Sequence, residues 1–316
     1  MTNNKSDYKT FCNQHNLPIF YQPWWLDVVS KDWDVVIFKK SNQIFGVFPY
    51  EIKKKWGLTY LLPPILTPQL GPWLAYPDGQ KNNTKLGFEK EIYSYLIDNL
   101  PKNQLSIVKL SPSLSNTQPF QWKKYESSVK YTFILDSIKG KSDDVYNRLS
   151  SSTRKNINKA TKLINVAASN DIDVLIDLSN QTFSRQRLEN PYSPKIIKTL
   201  FEEIKKKNSG KLLIARDDQG NAHAAMLLIW DNQSAYYLIG GADTRFRNSE
   251  AMSLLMWKSI ELASDKVDLF DFEGTMVESV ERFFRGFGGV QTPYYQLVKA
   301  TPKWLKSIFK LRLDIS

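Results

Sequence analysis

A single cysteine, Cys12, in 316 residues excludes a disulfide framework and any zinc site built on thiolates. Histidine is almost as scarce, with His15 and His223 far apart in the chain, so neither a His-rich metal site nor a histidine-based triad is expected. The longest clean apolar run, Ala224 to Trp230, falls far short of the roughly 20 residues a membrane span needs. With 14 glycines and 15 prolines there is too little of either for a collagen-like or low-complexity chain. Arginine is missing from the whole of 1–147, and all ten lie at Arg148 or beyond. The polar N-terminus carries no secretory pattern. These absences predict a soluble, cytoplasmic protein of about two domains with no metal.

What is present begins with charge. Forty-three Lys and Arg stand against 32 Asp and Glu, a formal net charge of +11. Such a balance suits a nucleic acid, an anionic membrane face or a phosphorylated small molecule, and equally a merely well-solvated surface. Bidentate recognition of phosphate or carboxylate belongs to arginine, which places a tight anion grip in the second half.

Strand and turn signals repeat along the chain. A strand at 34–39, the turn KSNQ and a strand at 44–50 match 212–216, DDQGN and 222–230. The series continues: 58–62 matches 234–240, a helix at 85–100 matches one at 250–264, and 105–110 matches 267–272. A last strand at 129–136 matches 292–299. The offset is about 177 before the loop at 63–84 and about 163 after it, so one insertion in a duplicated layout accounts for both values. Between the copies, 143–163 reads as a basic helix, followed by helices near 172–187 and 194–207. Another is expected at 278–286.

That order, with YYLIGGADTRFRNSEAMSLLMWKSIELA, VDLFDFEG and VERFFRGFGG over Tyr236 to Tyr295, TRKNINKATK at 153–162 and PWWLDVV at 23–29, resembles the FemAB/FemX-like and BioF2-like GNAT acyltransferases. The resemblance implies an α/β (α+β) fold of two tandem GNAT-like domains, each a mixed, largely antiparallel sheet flanked by helices. The expected division is 1–141, 142–300 and a C-terminal amphipathic helix at 301–316. No helical hairpin is inserted in the second domain, as in the short FemX-like members.

Candidate site residues fall in three groups. In GGADTRFRNSEA, Arg245 and Arg247 precede Ser249, read as the N-cap of a helix whose unpaired amides would receive a diphosphate. The glycine-rich turn of acetyl-CoA-dependent GNAT proteins is replaced here by RFRNSEA. In FDFEG, Glu273 at the lip of a buried strand is the candidate base; Asp271 is read as a turn cap, and Glu273 has Arg282 or Arg285 as alternative ion-pair partners. In ERFFRGFGG, Phe284 occupies the position of a lysine that in FemX-like peptidyltransferases is thought to stabilise the acyl carbonyl. Arg285 is the candidate cation there, provided the segment is not a regular helix. Arg185, Arg187 and Tyr192 are read as holding an anionic acceptor.

The expected activity is transfer of an acyl or aminoacyl group to an amine of a cell-envelope or polysaccharide precursor, without a covalent enzyme intermediate. No tightly bound cofactor is expected; acyl-CoA is a candidate co-substrate, with aminoacyl-tRNA as the rival donor. Expected partners are an anionic small molecule or glycolipid precursor, with tRNA and peripheral contact at the inner membrane face as further readings. The alternative is a catalytically silent GNAT-like module binding tRNA or an anionic glycolipid. The segment 302–313 is expected to form an amphipathic helix, with Trp304, Leu305, Ile308, Phe309 and Leu311 on one face and Lys303, Lys306 and Lys310 on the other. Cys12, near the terminus, is expected to be inert.

Overall fold

A computed structural model describes residues 4–185, 187–274 and 276–308. The chain divides into two compact units, Met1–Tyr131 with Pro293–Ser316, and Thr132–Thr292.

The first unit opens with α1 (Asn4–His15), which the sequence reading did not foresee, because its polar face outweighs the three buried residues Tyr8, Phe11 and Cys12. This terminus is tethered: the Tyr8 hydroxyl donates to the Tyr21 carbonyl at 2.6 Å, and the Cys12 thiol to the same oxygen at 3.8 Å. Helix α2 (Pro23–Val29) starts on proline, where a missing N–H costs nothing, and buries Trp25 completely. Then come β1 (Trp33–Lys40), β2 (Gln43–Lys55), β3 (Leu58–Leu62), β4 (Trp73–Leu74), α3 (Asn82–Asp98), β5 (Leu105–Lys109), α4 (Gln118–Trp122) and β6 (Glu126–Leu135).

The second unit carries α5 (Ser142–Arg148), α6 (Ser151–Ala160), β7 (Asn165–Ser169), α7 (Ile172–Arg185), α8 (Pro194–Lys207), β8 (Gly210–Arg216), β9 (Ala222–Trp230), β10 (Ser234–Ala242), α9 (Ala251–Ser264), β11 (Leu269–Asp271) and α10 (Glu278–Arg285). The chain continues into β12 (Val290–Ala300) and a final turn, α11 (Leu305–Ile308). Helix α8 shows how the sequence dictates these elements: Ile197, Leu200, Phe201 and Ile204 recur at helical spacing and are buried. Asn208 ends it in the left-handed region at φ 49°.

The expected duplication is present in the pairing pattern. In the first unit β1, β2 and β3 are antiparallel neighbours, β3 is parallel to β5, and β5 is antiparallel to β12. In the second, β8, β9 and β10 are antiparallel neighbours, β10 is parallel to β11, and β11 is antiparallel to Ile134 and Leu135 of β6. The last strand of each expected half therefore completes the sheet of the other unit. That exchange moves the divisions from the expected 141/142 and 300/301 to 131/132 and 292/293. Strand β7, also unforeseen, adds a sixth member beside β8; its sequence NVAAS lacks the bulk that marks a strand.

Two expected helices differ. The segment 143–163 is broken at Leu149 and Ser150, where Ser150 turns extended (φ −61°, ψ 153°), its hydroxyl accepts from the Thr153 amide at 3.1 Å, and its own amide reaches the Gly286 carbonyl at 2.9 Å. In the C-terminal segment Leu305 is buried while its neighbour Trp304 is 59% exposed, so these two do not share a face; a step of about 100° separates adjacent helical residues. Residues 309–313 of that expected helix lie outside the described residues.

Each unit has its own core. In the second, α9 is apolar nearly all round and packs beneath the sheet with Leu254, Leu255, Met256 and Ile260 buried. On the sheet's other face α7 crosses β10 at Gly241, where a Cβ would collide with the backbone of Leu178 and Ser179. Gly241→Ala is expected to cost about 1–3 kcal/mol through forced separation of α7 from the sheet, read as a fall in the urea midpoint at unchanged m-value.

Burial pushes the Cys12 thiol up to about 12, well above the roughly 8.5 of an unfolded thiol. Its neutral form thus favours the native state: that contribution is complete below about pH 8.5 and is lost as pH rises towards 12. Thiol titration with a disulfide reagent at pH 8 should find no fast-reacting thiol until denaturant is added. Rapid labelling of the native chain would contradict this burial.

Candidate active site

The two parallel strands β10 and β11 pair over three positions only, Ser234 to Tyr236 against Leu269 to Asp271. Strand β10 then runs on to Ala242, while β11 stops. Past Tyr236 the ladder ends and β10 runs on without β11 beside it, at the C-terminal ends of two parallel strands, where ligands of open sheets are bound.

What stops β11 is Asp271. Its buried carboxylate accepts from the Thr132 hydroxyl at 2.5 Å and from the Glu273 amide at 2.8 Å, a local turn in which the side chain mimics a backbone acceptor. Glu273 is held at φ 62°, a region that favours glycine, and Gly274 follows at φ 70°. Asp271 is thus the turn cap that the sequence suggested, and Glu273 is turned out of the strand line. Arg282 and Arg285, its expected ion-pair partners, pair instead with Glu278 at 3.7 Å and Glu281 at 3.3 Å along α10.

Two tyrosines share the surroundings of Glu273. Burial raises the Tyr192 phenol to about 12, and the Glu273 carboxylate adds to the shift. Tyr237 is pushed well above the ordinary tyrosine range, by burial first and then by Tyr192 and Glu273. Both hydroxyls therefore stay protonated and can donate throughout the working range of pH. Tyr237 is the first residue of β10 past the ladder with β11, and its ring lies over Gly240, where any Cβ would strike it. Tyr192 is positioned from α7: its amide donates to Asn190 Oδ1 at 3.0 Å, and Asn190 donates to Ser179 and Asn180 at 3.2 and 2.9 Å. Phe183 meets the Tyr192 ring edge-on at 5.9 Å. The sequence signalled Tyr192 and Glu273 separately; Tyr237 was passed over because YYLIG reads as one buried strand.

The loop between β10 and α9 differs from its expected form. Arg245 and Arg247 lie on a 3-10 turn, Thr244–Ser249. The Arg245 guanidinium grips Asp243, with Nε at 3.1 Å from both carboxylate oxygens and Nη2 at 2.7 Å from Oδ2. Phe246 stacks flat on His223 at 3.8 Å, and His223 Nε2 lies 3.1 Å from Asp217 Oδ2. Arg247 is exposed. The Ser249 hydroxyl donates to the Phe246 carbonyl at 2.7 Å, and the residue immediately before α9 is Glu250, at φ 59°. Ser249 is therefore not the N-cap, because the extra turn displaces the start of α9 by one residue. Arg185 ends α7 and Arg187 sits at φ 57° just beyond; both are exposed.

Phe284 is 3% exposed, with its ring against Phe272 at 5.1 Å and Tyr237 at 5.8 Å. Helix α10 is regular through Arg285, which rotates Arg285 away from Phe284 and leaves its side chain 64% exposed on Glu281. The condition under which Arg285 could stand in for a lysine is not met. Among the described residues no group of three or more His, Cys, Asp and Glu side chains is placed to hold a metal ion, and no helix is long and apolar enough to cross a membrane.

A family model described as an acetyltransferase (GNAT) domain matches residues 148–285, the stretch that holds β10, β11 and the three site residues. That stretch is similar to a GNAT domain, and the fold of the chain is FemX-like. The crystal structure of FemX superposes with a TM-score of 0.70 at 13% identity, over 96% of this chain and 98% of that one. The structure of L-PGS from Bacillus licheniformis gives 0.55 at 10% identity, over 98% and 95%. A tandem GNAT protein from the clavulanic acid biosynthesis pathway gives 0.51 at 8% identity, over 94% of each chain. At these identities the likeness is one of fold. No curated protein matches the sequence.

Phe284→Lys should lower stability by about 3 kcal/mol or more, since it removes a core ring and buries an unpaired ammonium. Arg285→Ala should stay within about 0.5 kcal/mol, the range of an exposed pair. Urea unfolding of the two variants checks both; a Phe284→Lys variant as stable as the parent would show that the ring position is open to solvent.

Proposed function

We propose that this chain is an N-acyltransferase that moves an acyl or aminoacyl group to the amine of a cell-envelope or polysaccharide precursor. The observation that carries the reading is the end of the β10–β11 ladder at Tyr236 and Asp271, with Glu273, Tyr192 and Tyr237 gathered just past it. In the proposed step the acceptor amine attacks the donor carbonyl carbon. A C–N bond forms, the C–S bond of a thioester or C–O bond of an aminoacyl ester breaks, and the ammonium proton passes to the Glu273 carboxylate. The backbone of β10 past Tyr236 faces the developing oxyanion, and the Tyr192 and Tyr237 hydroxyls supply a hydrogen bond or proton to the leaving atom.

Arg247 is proposed to meet donor phosphate, because Arg245 is already satisfied by Asp243. Arg185 and Arg187 are proposed for the negative charge of the acceptor. The buried Phe284 supports an acyl-CoA or nucleotide-linked donor over aminoacyl-tRNA, since the site offers a ring where the tRNA-dependent pattern has a cation. The silent-module alternative draws on the same ring. The fold likeness to FemX and L-PGS keeps aminoacyl-tRNA in the test.

A ligand at a hundredfold excess over its Kd raises native stability by about 2.7 kcal/mol, so thermal shifts with acyl-CoA, coenzyme A, aminoacyl-tRNA and uncharged tRNA separate the donors. The expected result is an upward shift with acyl-CoA. A shift with aminoacyl-tRNA alone would reassign the donor. With the donor in hand, Glu273→Gln should reduce turnover by about 10²–10⁴ while leaving the melting temperature unchanged. Ligand binding without turnover in the parent chain would make it a binding module.

A further inference from the structure

The hairpin between β2 and β3 turns on two residues, Trp56 at φ 55° and Gly57 at φ 72°. Two successive positive φ values define the tight turn that Asn-Gly or Gly-Gly normally fills, and a bulky aromatic in its first position is strained. Trp56 is 70% exposed, so packing does not explain it. Three lysines run into it, and Lys55 Nζ lies 4.3 Å from the indole. Lys53 is partnered by Glu51 at 2.9 Å, while Lys54 and Lys55 are exposed.

The register of the first unit places a second tryptophan at the same end. Lys53, Tyr60, Leu105 and Ala300 form one lateral row across β2, β3, β5 and β12. Beyond that row project the hairpin tip, the loop carrying Lys102, and the segment Thr301 to Lys306. The Thr301 amide is tied to the Gln104 carbonyl at 2.8 Å, and Gln104 in turn is tied to Thr59 at 2.9 Å. Leu305 is buried and Lys306 pairs with Glu126, which anchors the segment and leaves Trp304 outward, 59% exposed, beside the exposed Lys303.

We propose that this end of the first unit is an interfacial docking surface for an anionic lipid bilayer, with Trp56 and Trp304 seated at headgroup depth and Lys54, Lys55, Lys102 and Lys303 on the lipid charge. Tryptophan is the side chain suited to that depth, with an apolar body and one N–H. Lysine point charges without arginine suit a diffuse negative surface better than bidentate phosphate readout, and 1–131 contains no arginine. A single-stranded nucleic acid would call for aromatics along a basic groove, whereas these stand at the tips of a hairpin and a chain end. The inference stands apart from the acyl-transfer reading.

The test is co-sedimentation of the full chain with phosphatidylcholine vesicles and with vesicles containing phosphatidylglycerol. Binding is expected for the anionic vesicles alone and should weaken as salt rises. Lys54→Gln and Lys55→Gln should each lower the partition about fivefold, from roughly 1 kcal/mol per lysine near such a surface. Trp56→Asn, which suits the turn better than the native residue, combined with Trp304→Ser should lower it roughly tenfold through the apolar area withdrawn from the interface. The control pair Lys206→Gln with Lys207→Gln, on α8 of the other unit, should leave it unchanged. Failure to sediment at low salt would overturn the proposal, as would an equal loss in the control. A tRNA gel shift that depends on the hairpin lysines, with vesicle binding indifferent to both tryptophans, would assign the surface to nucleic acid.

Discussion

The buried carboxylate of Asp271 is the constraint from which the rest of the site follows. Placed at the end of a three-residue parallel ladder, it needs donors, and it finds them in Thr132 and in the amide two residues ahead. Satisfying it bends the chain out of the strand at once, which ends β11, forces Glu273 into the left-handed region and leaves β10 to run on alone. An alanine at 271 would remove the acceptor and with it the reason for the turn. The Glu273 carboxylate thus follows a backbone fixed by a left-handed φ and by the hydrogen bond from its amide to Asp271, an arrangement in which local cost is offset by a group held ready.

The loop after β10 follows a different logic. Asp243, Arg245, Phe246, His223 and Asp217 satisfy one another: a bidentate ion pair, a flat ring stack and a histidine held by a carboxylate. Hydrogen bonds from Asn221 and then His223 hold the Asp217 carboxyl near pH 2, below its usual range, and Arg245 does the same in direction for Asp243. Such a loop is built before any ligand arrives. It cannot give Arg245 to a phosphate without leaving the nearly buried Asp243 uncompensated, and that exchange is unfavourable. Exposed Arg247 carries no such debt.

Much of the architecture was legible because both copies use ordinary signals. The limits of β9 and α8 match the sequence reading, and the order of pairing in each unit follows from apolar runs separated by turns. The exchange of last strands was not legible, since the segments at 126–135 and 290–300 alternate alike and nothing in either names its neighbour. Helix α1 was hidden by its solvated face, and the break at Ser150 by the absence of any glycine or proline between 141 and 163 to mark it. Among site residues, Glu273 announced itself by type and place. Arg245 misled, because its partner Asp243 lies two residues away in the very motif that made it attractive. Tyr237 was hidden because YYLIG reads as one buried strand, and the register shift of β10 against β9 between Tyr237 and Ile239 leaves no mark in that run.

The two copies differ most at the end of their parallel strand pairs. In the first, β3 and β5 make the corresponding parallel pair, at Tyr60 and Leu61 against Leu105 and Ser106. By the offset of the repeat, Pro63 and Pro64 stand where the second unit has Gly240 and Gly241, so the backbone freedom that lets Tyr237 fold over its own strand is lost. The inserted loop that follows then packs beside the end of β5. The Leu70 amide donates to the Lys109 carbonyl at 3.1 Å, Leu66 and Leu70 are buried, and Leu62, Pro63 and Leu70 line a small apolar pocket with Ile107 and Val108. In the first unit the chain itself packs beside the end of the parallel pair. The insertion at 63–84 is where the two copies differ most, and beside the parallel pair of the first unit it contributes the buried Leu66 and Leu70 in place of the short turn, Thr244–Ser249, that follows β10 in the second.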